Sequence, residues 1–380
     1  MSKPVYSRRD FSRTAIQSLA AAMAVPYLQS QAGNYHPLPA PEGTIRINFN
    51  ENNYGPSPKA LEALANCGPL AARYPFMADI QMVDAIGRTV GAKPENIILG
   101  CGSSEILRVA DEAFLGPGKN VVAAEPTFEA VLQFAGIAHA SSVKVPLTAD
   151  HRHDLPAMAA ACTSKTGLVY ICNPNNPTGT IVSHAELTDF IARVPSTTLI
   201  LVDEAYFDFV DDSSYSTVID MIPTHPNVIV ARTFSKIYGL AGMRLGYAVG
   251  AKEVVNSMRP YLDQENTNAA VLAAALASLS DQENVAACRA KFIATRNWLC
   301  AELAKDGRAF TKSQANFIMI DVGGDVQPIV DQFAGRKILV GRRFPSMSNW
   351  LRVSIGKQPE MEAFLAALRE IVPAGSSKAA

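Results

Sequence analysis

From about residue 80 the chain alternates short apolar runs with longer amphipathic stretches. Ile97-Ile98-Leu99, Asn120 to Ala124, Ser142 to Val145, Leu168 to Ile171, Leu199 to Val202, Val228 to Ala231 and Leu245 to Val249 are brief and mostly Val, Ile, Leu or Ala. Runs of this length without polar alternation read as strands buried on both faces. Helical patterns fall between several of them. Ile106, Val109, Ala110 and Ala113 recur at helical spacing within Glu105 to Leu115, and Ser183-His184-Ala185-Glu186 is a capping box opening a helix to about Arg193. Strands alternating with helices predict an α/β architecture: a mostly parallel sheet covered on both faces, with ligands bound at the carboxyl ends of the strands. Past Arg259-Pro260 the texture changes. Asn268 to Ser280 and Gln282 to Ala304 read as Ala-rich helices, Asn316 to Asp321, Ile338 to Val340 and Leu351 to Ile355 as strands, and Glu360 to Val372 as a closing helix. This order predicts a second, smaller α+β lobe. The expected boundaries are a leader over 1–32, an arm with part of the small lobe over 33–70, a large lobe over 71–260 and the small lobe over 261–380.

The first residues follow a different logic. Ser7-Arg8-Arg9-Asp10-Phe11 with Arg13 is basic, Thr14 to Leu28 carries no charge, and Ser30-Gln31-Ala32 puts small residues where a signal peptidase cuts. That is the pattern of a twin-arginine signal peptide, so the expected address is the periplasm by the twin-arginine route, with the cytoplasm as the alternative. The uncharged stretch contains Gln17, Ser18 and Pro26 and is too short and polar to remain as a spanning anchor. Twin-arginine pathways carry folded proteins, often after cofactor insertion, so the exported chain is expected to hold one. Pro37 to Pro41 reads as an extended arm.

Composition sharpens the picture by exclusion. In 380 residues, 34 Lys+Arg against 35 Asp+Glu give a formal charge of −1, without the broad positive field that nucleic-acid binding requires. Losing the leader, with four basic residues and one acidic, leaves a mildly acidic remainder. With 48% hydrophobic and 18% charged residues, the chain has the composition of a folded protein of two or three lobes. The cysteines at 67, 101, 162, 172, 288 and 300 contain no CxxC and no zinc-like His spacing, which argues against a metal site and for scattered, mostly buried thiols; a disulfide stays open.

The candidate chemistry lies where predicted strands end. Gly100-Cys101-Gly102-Ser103-Ser104 is a glycine-rich corner, weak alone as a phosphate signal. Asn173-Pro174-Asn175-Asn176-Pro177-Thr178-Gly179 is neither strand nor helix and alone reads as a tight turn. Asp203-Glu204-Ala205-Tyr206 puts a carboxylate straight after four apolar residues, where burial demands a charged partner. Arg232-Thr233-Phe234-Ser235-Lys236 and Ala241-Gly242-Met243-Arg244 follow in turn, and Leu351-Arg352-Val353 places an arginine inside an apolar run.

In that order, with the Ser-Lys-x-x-Gly-Leu-Ala-Gly-x-Arg-x-Gly and Leu-Arg-Val-Ser-Ile-Gly segments, these motifs closely resemble the fold type I pyridoxal-phosphate aminotransferases of class I/II, specifically those similar to histidinol-phosphate aminotransferase. The resemblance runs from Asn48 to about Val372. It implies a large domain with a mostly parallel seven-stranded sheet, a smaller α+β domain and pyridoxal 5'-phosphate as cofactor. It also implies transfer of an amino group from an L-amino acid to a 2-oxo acid by ping-pong half-reactions. By this resemblance Lys236 is the Schiff-base lysine and proton carrier, and Asp203 sits beneath the pyridinium nitrogen. Asn176 and Tyr206 hydrogen-bond the phenolic oxygen, and Phe128 stacks on the ring where relatives often have tyrosine. Ser103, Ser104, Ser235 and Arg244 hold the phosphate, and Tyr74 reaches the phosphate of a neighbouring subunit, which implies a homodimer with shared sites. Arg352 clamps the substrate carboxylate, and the Asn50 to Pro56 arm, including Asn52, covers the substrate. The chain departs from the pattern after Val340: Gly341 stands where the family usually has arginine, so either Arg342 serves from one position later or the pocket has changed.

Two other functions stay open on the same residues. Relatives with this site also decarboxylate, eliminate or racemise. A non-catalytic periplasmic binding protein could share the fold, but it would have no use for Lys236.

Overall fold

The structure is a computed structural model, and residues 41–263 and 265–373 are described. The leader over 1–32, and Pro37 to Ala40 of the proline-rich arm, lie outside these residues. The chain divides between Ile45 and Arg46, and the fold that builds the site belongs to the unit beginning at Arg46.

Seven strands form the central sheet: β1 (Ile97–Gly100), β2 (Asn120–Glu125), β3 (Ser141–Pro146), β4 (Thr166–Cys172), β5 (Leu199–Asp203), β6 (Val228–Thr233) and β7 (Gly246–Gly250). Their order is β1-β7-β6-β5-β4-β2-β3. Each of the seven apolar runs in the sequence became one of these strands. The sheet is parallel except for β7, which runs antiparallel to both β1 and β6. The reason for the uninterrupted apolar runs is visible in the packing. Val169, Ile171, Ile200 and Val202 pack into one core, whereas the alternating Leu168, Tyr170, Leu199 and Leu201 pack into another, so successive side chains of each strand are buried on opposite faces.

Helices cover both faces. The segment Ser103–Phe114 is a helix beginning at Gly102, whose φ of 78° only glycine adopts freely. The helix His184–Arg193 carries the expected capping box: Ser183 Oγ accepts from Glu186 N at 3.2 Å, and Glu186 Oε2 accepts from Ser183 N at 2.8 Å.

Past residue 260 come the helices Ala269–Leu279 and Gln282–Lys305, then β8 (Phe317–Asp321) and β9 (Trp350–Ser354), an antiparallel pair, and the closing helix Gln358–Ile371. Ile338–Leu339 is a two-residue strand outside that pair. Residues 47–50 thread between the two pieces: Ile47 N donates to Leu339 O at 2.9 Å, and Ser354 N donates to Ile47 O at 2.9 Å. All six cysteines are unpaired; Cys172 and Cys288 are buried, and Cys101 is exposed. Among the described residues no helix is long and apolar enough to cross a membrane.

Candidate active site

The reversal of β7 gathers the site. Gly246, its first residue, is paired with Gly100 at the end of β1 and with Thr233 at the end of β6. The loops after β1 and β6 and the segment before β7 therefore share one rim. Cys172 and Asp203, the last residues of β4 and β5, are paired with each other on the same side of the sheet.

Lys236 stands three residues beyond β6, half-buried, with Nζ 3.4 Å from Phe49 O and 5.6 Å from the centre of the Tyr206 ring. Burial, reinforced by the positive charge of Arg352, pulls its ammonium down to about 8. Asp203 is buried; Oδ2 accepts from Tyr170 OH at 2.8 Å and Oδ1 from Ala205 N at 3.0 Å. Burial pushes its carboxyl up to about 6, and the Tyr170 and Ala205 hydrogen bonds, with the charge of Lys236, limit the rise.

Arg352 lies within β9 and is buried. Nη1 donates to Asn176 Oδ1 at 2.8 Å, Nη2 donates to Asn48 O at 3.0 Å, and the buried Nε has no partner. No carboxylate among the described residues pairs with it, and burial draws it down to about 10. Phe317 and Phe344 lie 5.7 and 5.0 Å from its guanidinium. Tyr206 is buried, takes a hydrogen bond from Asn50 Nδ2 at 3.1 Å and meets Phe317 edge-on at 4.9 Å. Burial raises its phenol, with Asn50 and Arg352 acting against the rise. The Asn-Pro-Asn-Asn-Pro loop divides its work. Asn173 bridges both backbone groups of Val182, Asn175 bonds Pro126 O, Thr178 and Thr127, and Asn176 alone reaches Arg352.

A separate cradle lies at the start of the helix Ser103–Phe114. No side chain caps that terminus. Arg244, held at a φ of 64°, donates from Nη1 to Ser235 Oγ at 3.1 Å and to Ala241 O at 3.1 Å. A Cβ on Gly102 would overlap the Arg244 guanidinium, and one on Gly246 would overlap the Ser103 backbone. Both glycines are thus required for Arg244, Ser235 and the first helical N–H groups of Ser103 and Ser104 to converge. A cation, a hydroxyl and free amides at a helix N-terminus form a seat for a phosphate.

The remaining expected residues are less centrally placed. Phe128 is partly buried against the core beside β2 and β4. Arg342 bonds Glu129 Oε2 at 2.5 Å and lies 4.4 Å from the Phe344 ring. A Cβ on residue 341 would sit 2.7 Å from Arg352 O, so the close approach of the two backbone segments favours glycine at this position. Asn52 is spent within the fold, donating to Ile237 O at 2.8 Å and Cys288 Sγ at 3.4 Å; Asn50 is the arm residue that meets Tyr206. Tyr74 is 73% exposed and touches Phe76, away from this group within one chain. Sequence reasoning did not single out Asn48, Tyr170, Phe317 and Phe344. Tyr170 is the one polar side chain within the apolar run Leu168 to Ile171 of β4, two places before Cys172, and that was its signal.

Residues 43–368 match the family Aminotransferase class I and II, and the chain belongs to it. It is similar to the histidinol-phosphate aminotransferase of Moorella thermoacetica, 38% identical over 331 residues that cover 86% of this chain and 85% of that one. An aromatic amino acid aminotransferase of Rhodococcus jostii is 38% identical over 324 residues, covering 85% and 89%. The crystal structure of histidinol-phosphate aminotransferase from Sinorhizobium meliloti in complex with pyridoxal-5'-phosphate superposes with a TM-score of 0.81 at 29% identity, covering 87% and 90%. The chain is therefore a pyridoxal-phosphate-dependent aminotransferase of fold type I. Its rim fits that cofactor: a phosphate seat, a buried carboxyl and a lowered amine stand together, which is the donor set such a group requires.

Proposed function

We propose that the enzyme moves an amino group from a free L-amino acid to a 2-oxo acid in two half-reactions at one site, with Lys236 the residue that links to the cofactor. The observation that supports this best is the meeting of Lys236, Asp203, Tyr206 and Arg352 around one point, with the amine drawn down to about 8. Pyridoxal phosphate, when bound, supplies the electron sink for the bond broken at the substrate α-carbon.

The residues divide that work. Ser103, Ser104, Ser235 and Arg244 would hold the phosphate. Asp203, kept acidic enough by Tyr170, would hold a proton on the ring nitrogen, Phe128 would stack on the ring, and Asn176 and Tyr206 would bind its phenolic oxygen. Arg352 already bonds Asn176 and still carries an uncompensated charge, which suits it to an incoming α-carboxylate. Lys236 takes the proton from the α-carbon and returns it, a task for an amine that is partly neutral near pH 8.

Lys236→Ala should abolish turnover, by roughly 10³-fold or more, and borohydride should fix the cofactor to Lys236 in the unaltered enzyme. A panel of single amino acids, followed by absorbance as the cofactor passes to its amine form, is the direct test. Release of CO₂ or a racemised product without 2-oxo acid would overturn transamination.

Two further proposals concern assembly and address. Leu61, Leu70, Tyr74, Phe76, Met77 and Ile80 are exposed apolar residues from one stretch of chain, and a homodimer that covers them would bring Tyr74 to its neighbour's phosphate. A monomer by light scattering would refute it. Export by the twin-arginine machinery to the periplasm rests on Arg8 and Arg9; unchanged export of a residue 1–40 reporter fusion after Arg8→Lys/Arg9→Lys would count against it.

A further inference from the structure

We infer that Glu129 sets the substrate class by competing with anionic side chains for Arg342, so that the site favours amino acids with neutral, above all aromatic, side chains over acidic or phosphorylated ones. The inference rests on the transamination reading and on Arg352 as the seat of the α-carboxylate.

Arg352 and Arg342 stand 5.0 and 4.4 Å from the centre of the same Phe344 ring, so the two guanidinium groups are close neighbours. They differ in one respect. Arg352 has no acidic partner among the described residues, whereas Arg342 Nη2 is 2.5 Å from Glu129 Oε2. Glu129 follows Phe128 directly and begins the helix Ala130–Ile137, so the residue after the ring-stacking position reaches across to the segment between Val340 and β9. After Tyr206, Arg342 and Glu129 are the charged groups that most affect Arg352, in opposite directions.

On this inference a substrate anchored by its carboxylate on Arg352 would extend its side chain toward this pair, past Phe344, whose ring both Arg352 and Arg342 approach. A neutral ring meets Phe344 and a closed ion pair whose charges cancel. A carboxylate or phosphate must instead take Arg342 from Glu129, and the released carboxylate then lies beside a second negative charge. The pair is partly exposed, with side-chain exposures of 23% for Arg342 and 44% for Glu129, so water screens it until a substrate seats and excludes that water. The discrimination is therefore expressed when substrate is bound.

The test compares kcat/KM for phenylalanine and for glutamate as sole amino donors. The unaltered enzyme should favour phenylalanine by tenfold or more. Glu129→Gln should move the ratio about tenfold toward glutamate, chiefly through the KM for glutamate, as one opposed charge on a shared cation would. In an Arg342→Gln background the same substitution should move it less than twofold. A preference for glutamate in the unaltered enzyme overturns the inference without recourse to any variant. So does an active Glu129→Gln enzyme with an unmoved ratio, while transamination itself stands. If neither amino acid, nor any of the panel, is converted by the unaltered enzyme, the transamination reading fails and this inference falls with it.

Discussion

Two arginines are drawn toward the same end of the sheet and meet opposite conditions. Arg232, near the end of β6, is clasped by Glu204, with Nε at 3.0 Å and Nη2 at 2.8 Å from one carboxylate oxygen, and lies 4.0 Å from the Phe207 ring. Thr217 and the Val218 amide complete the carboxylate's bonds. Burial works against its charge, but Glu204 holds the Arg232 guanidinium above its ordinary value. Arg352 is more enclosed, has no acidic partner among the described residues, leaves Nε unpartnered and is drawn down to about 10. The first arginine is paired within the fold itself, and the second is not. A buried cation left without an anion costs stability, which on the proposed function an incoming carboxylate would recover. The same contrast separates two adjacent residues: Glu204 belongs to the closed corner and Asp203, one place earlier, to the open one.

The contrast can be broken. The largest effect expected is on Glu204→Gln, which strands Arg232 in the interior and should lower the unfolding free energy by about 3–5 kcal/mol in urea titrations; a loss under about 1 kcal/mol would mean that the closed corner is not held by its ion pair. Arg352→Met should behave in reverse. Its kcat/KM should fall roughly a hundredfold or more, with stability of the cofactor-free protein reduced by no more than about 1 kcal/mol, since an uncompensated charge has been removed.

A third prediction extends the contrast to an anion. Asp111, in the helix Ser103–Phe114, is fully buried with neither carboxylate oxygen partnered, and burial pushes it up to about 8, with Glu112 adding to the rise. The folded state therefore keeps a proton that the unfolded chain releases near pH 4. Its contribution to stability is complete below about pH 4 and is lost as pH rises to about 8. Asp111→Asn should remove about 2 kcal/mol of the decline between pH 5 and pH 7, read by denaturant unfolding at the two pH values. An identical decline in both proteins would place the buried proton elsewhere.

Much of this was legible in the chain because the sheet is wholly buried. A strand that must be apolar at every position makes the first polar residue after it conspicuous, and Asp203, Lys236 and Asn176 all stand in or just beyond that place. Arg352 was conspicuous for the converse reason, as a cation between Leu351 and Val353. The arm was harder to read. From Asn48 to Asn53 it is Asn-Phe-Asn-Glu-Asn-Asn, and nothing in that row says that Asn50 rather than Asn52 faces Tyr206. The choice is made by β9: Asn50 N donates to Ser354 Oγ at 2.8 Å, which fixes which side of the arm turns inward. Glu129 was silent because an acid at the start of a helix is ordinary, and its meaning comes from a residue more than two hundred positions away. Gly341 reads as a departure from a motif, and the sequence could not show that the carbonyl of Arg352 lies beside it.

The reversed strand β7 also sets a schedule. Ser103 and Ser104 leave the ribosome early, at the head of a helix whose amides await an anion. Their counter-charge, Arg244, is delivered only when the chain has been made as far as the strand that pairs with Gly100. On the proposed reading the phosphate seat is unfinished through the synthesis of β2 to β6, and the two antiparallel ladders of β7 close it. A chain ending before Gly246 would lack the pairing with Gly100 and Thr233, and the proposed phosphate seat would stay open in it.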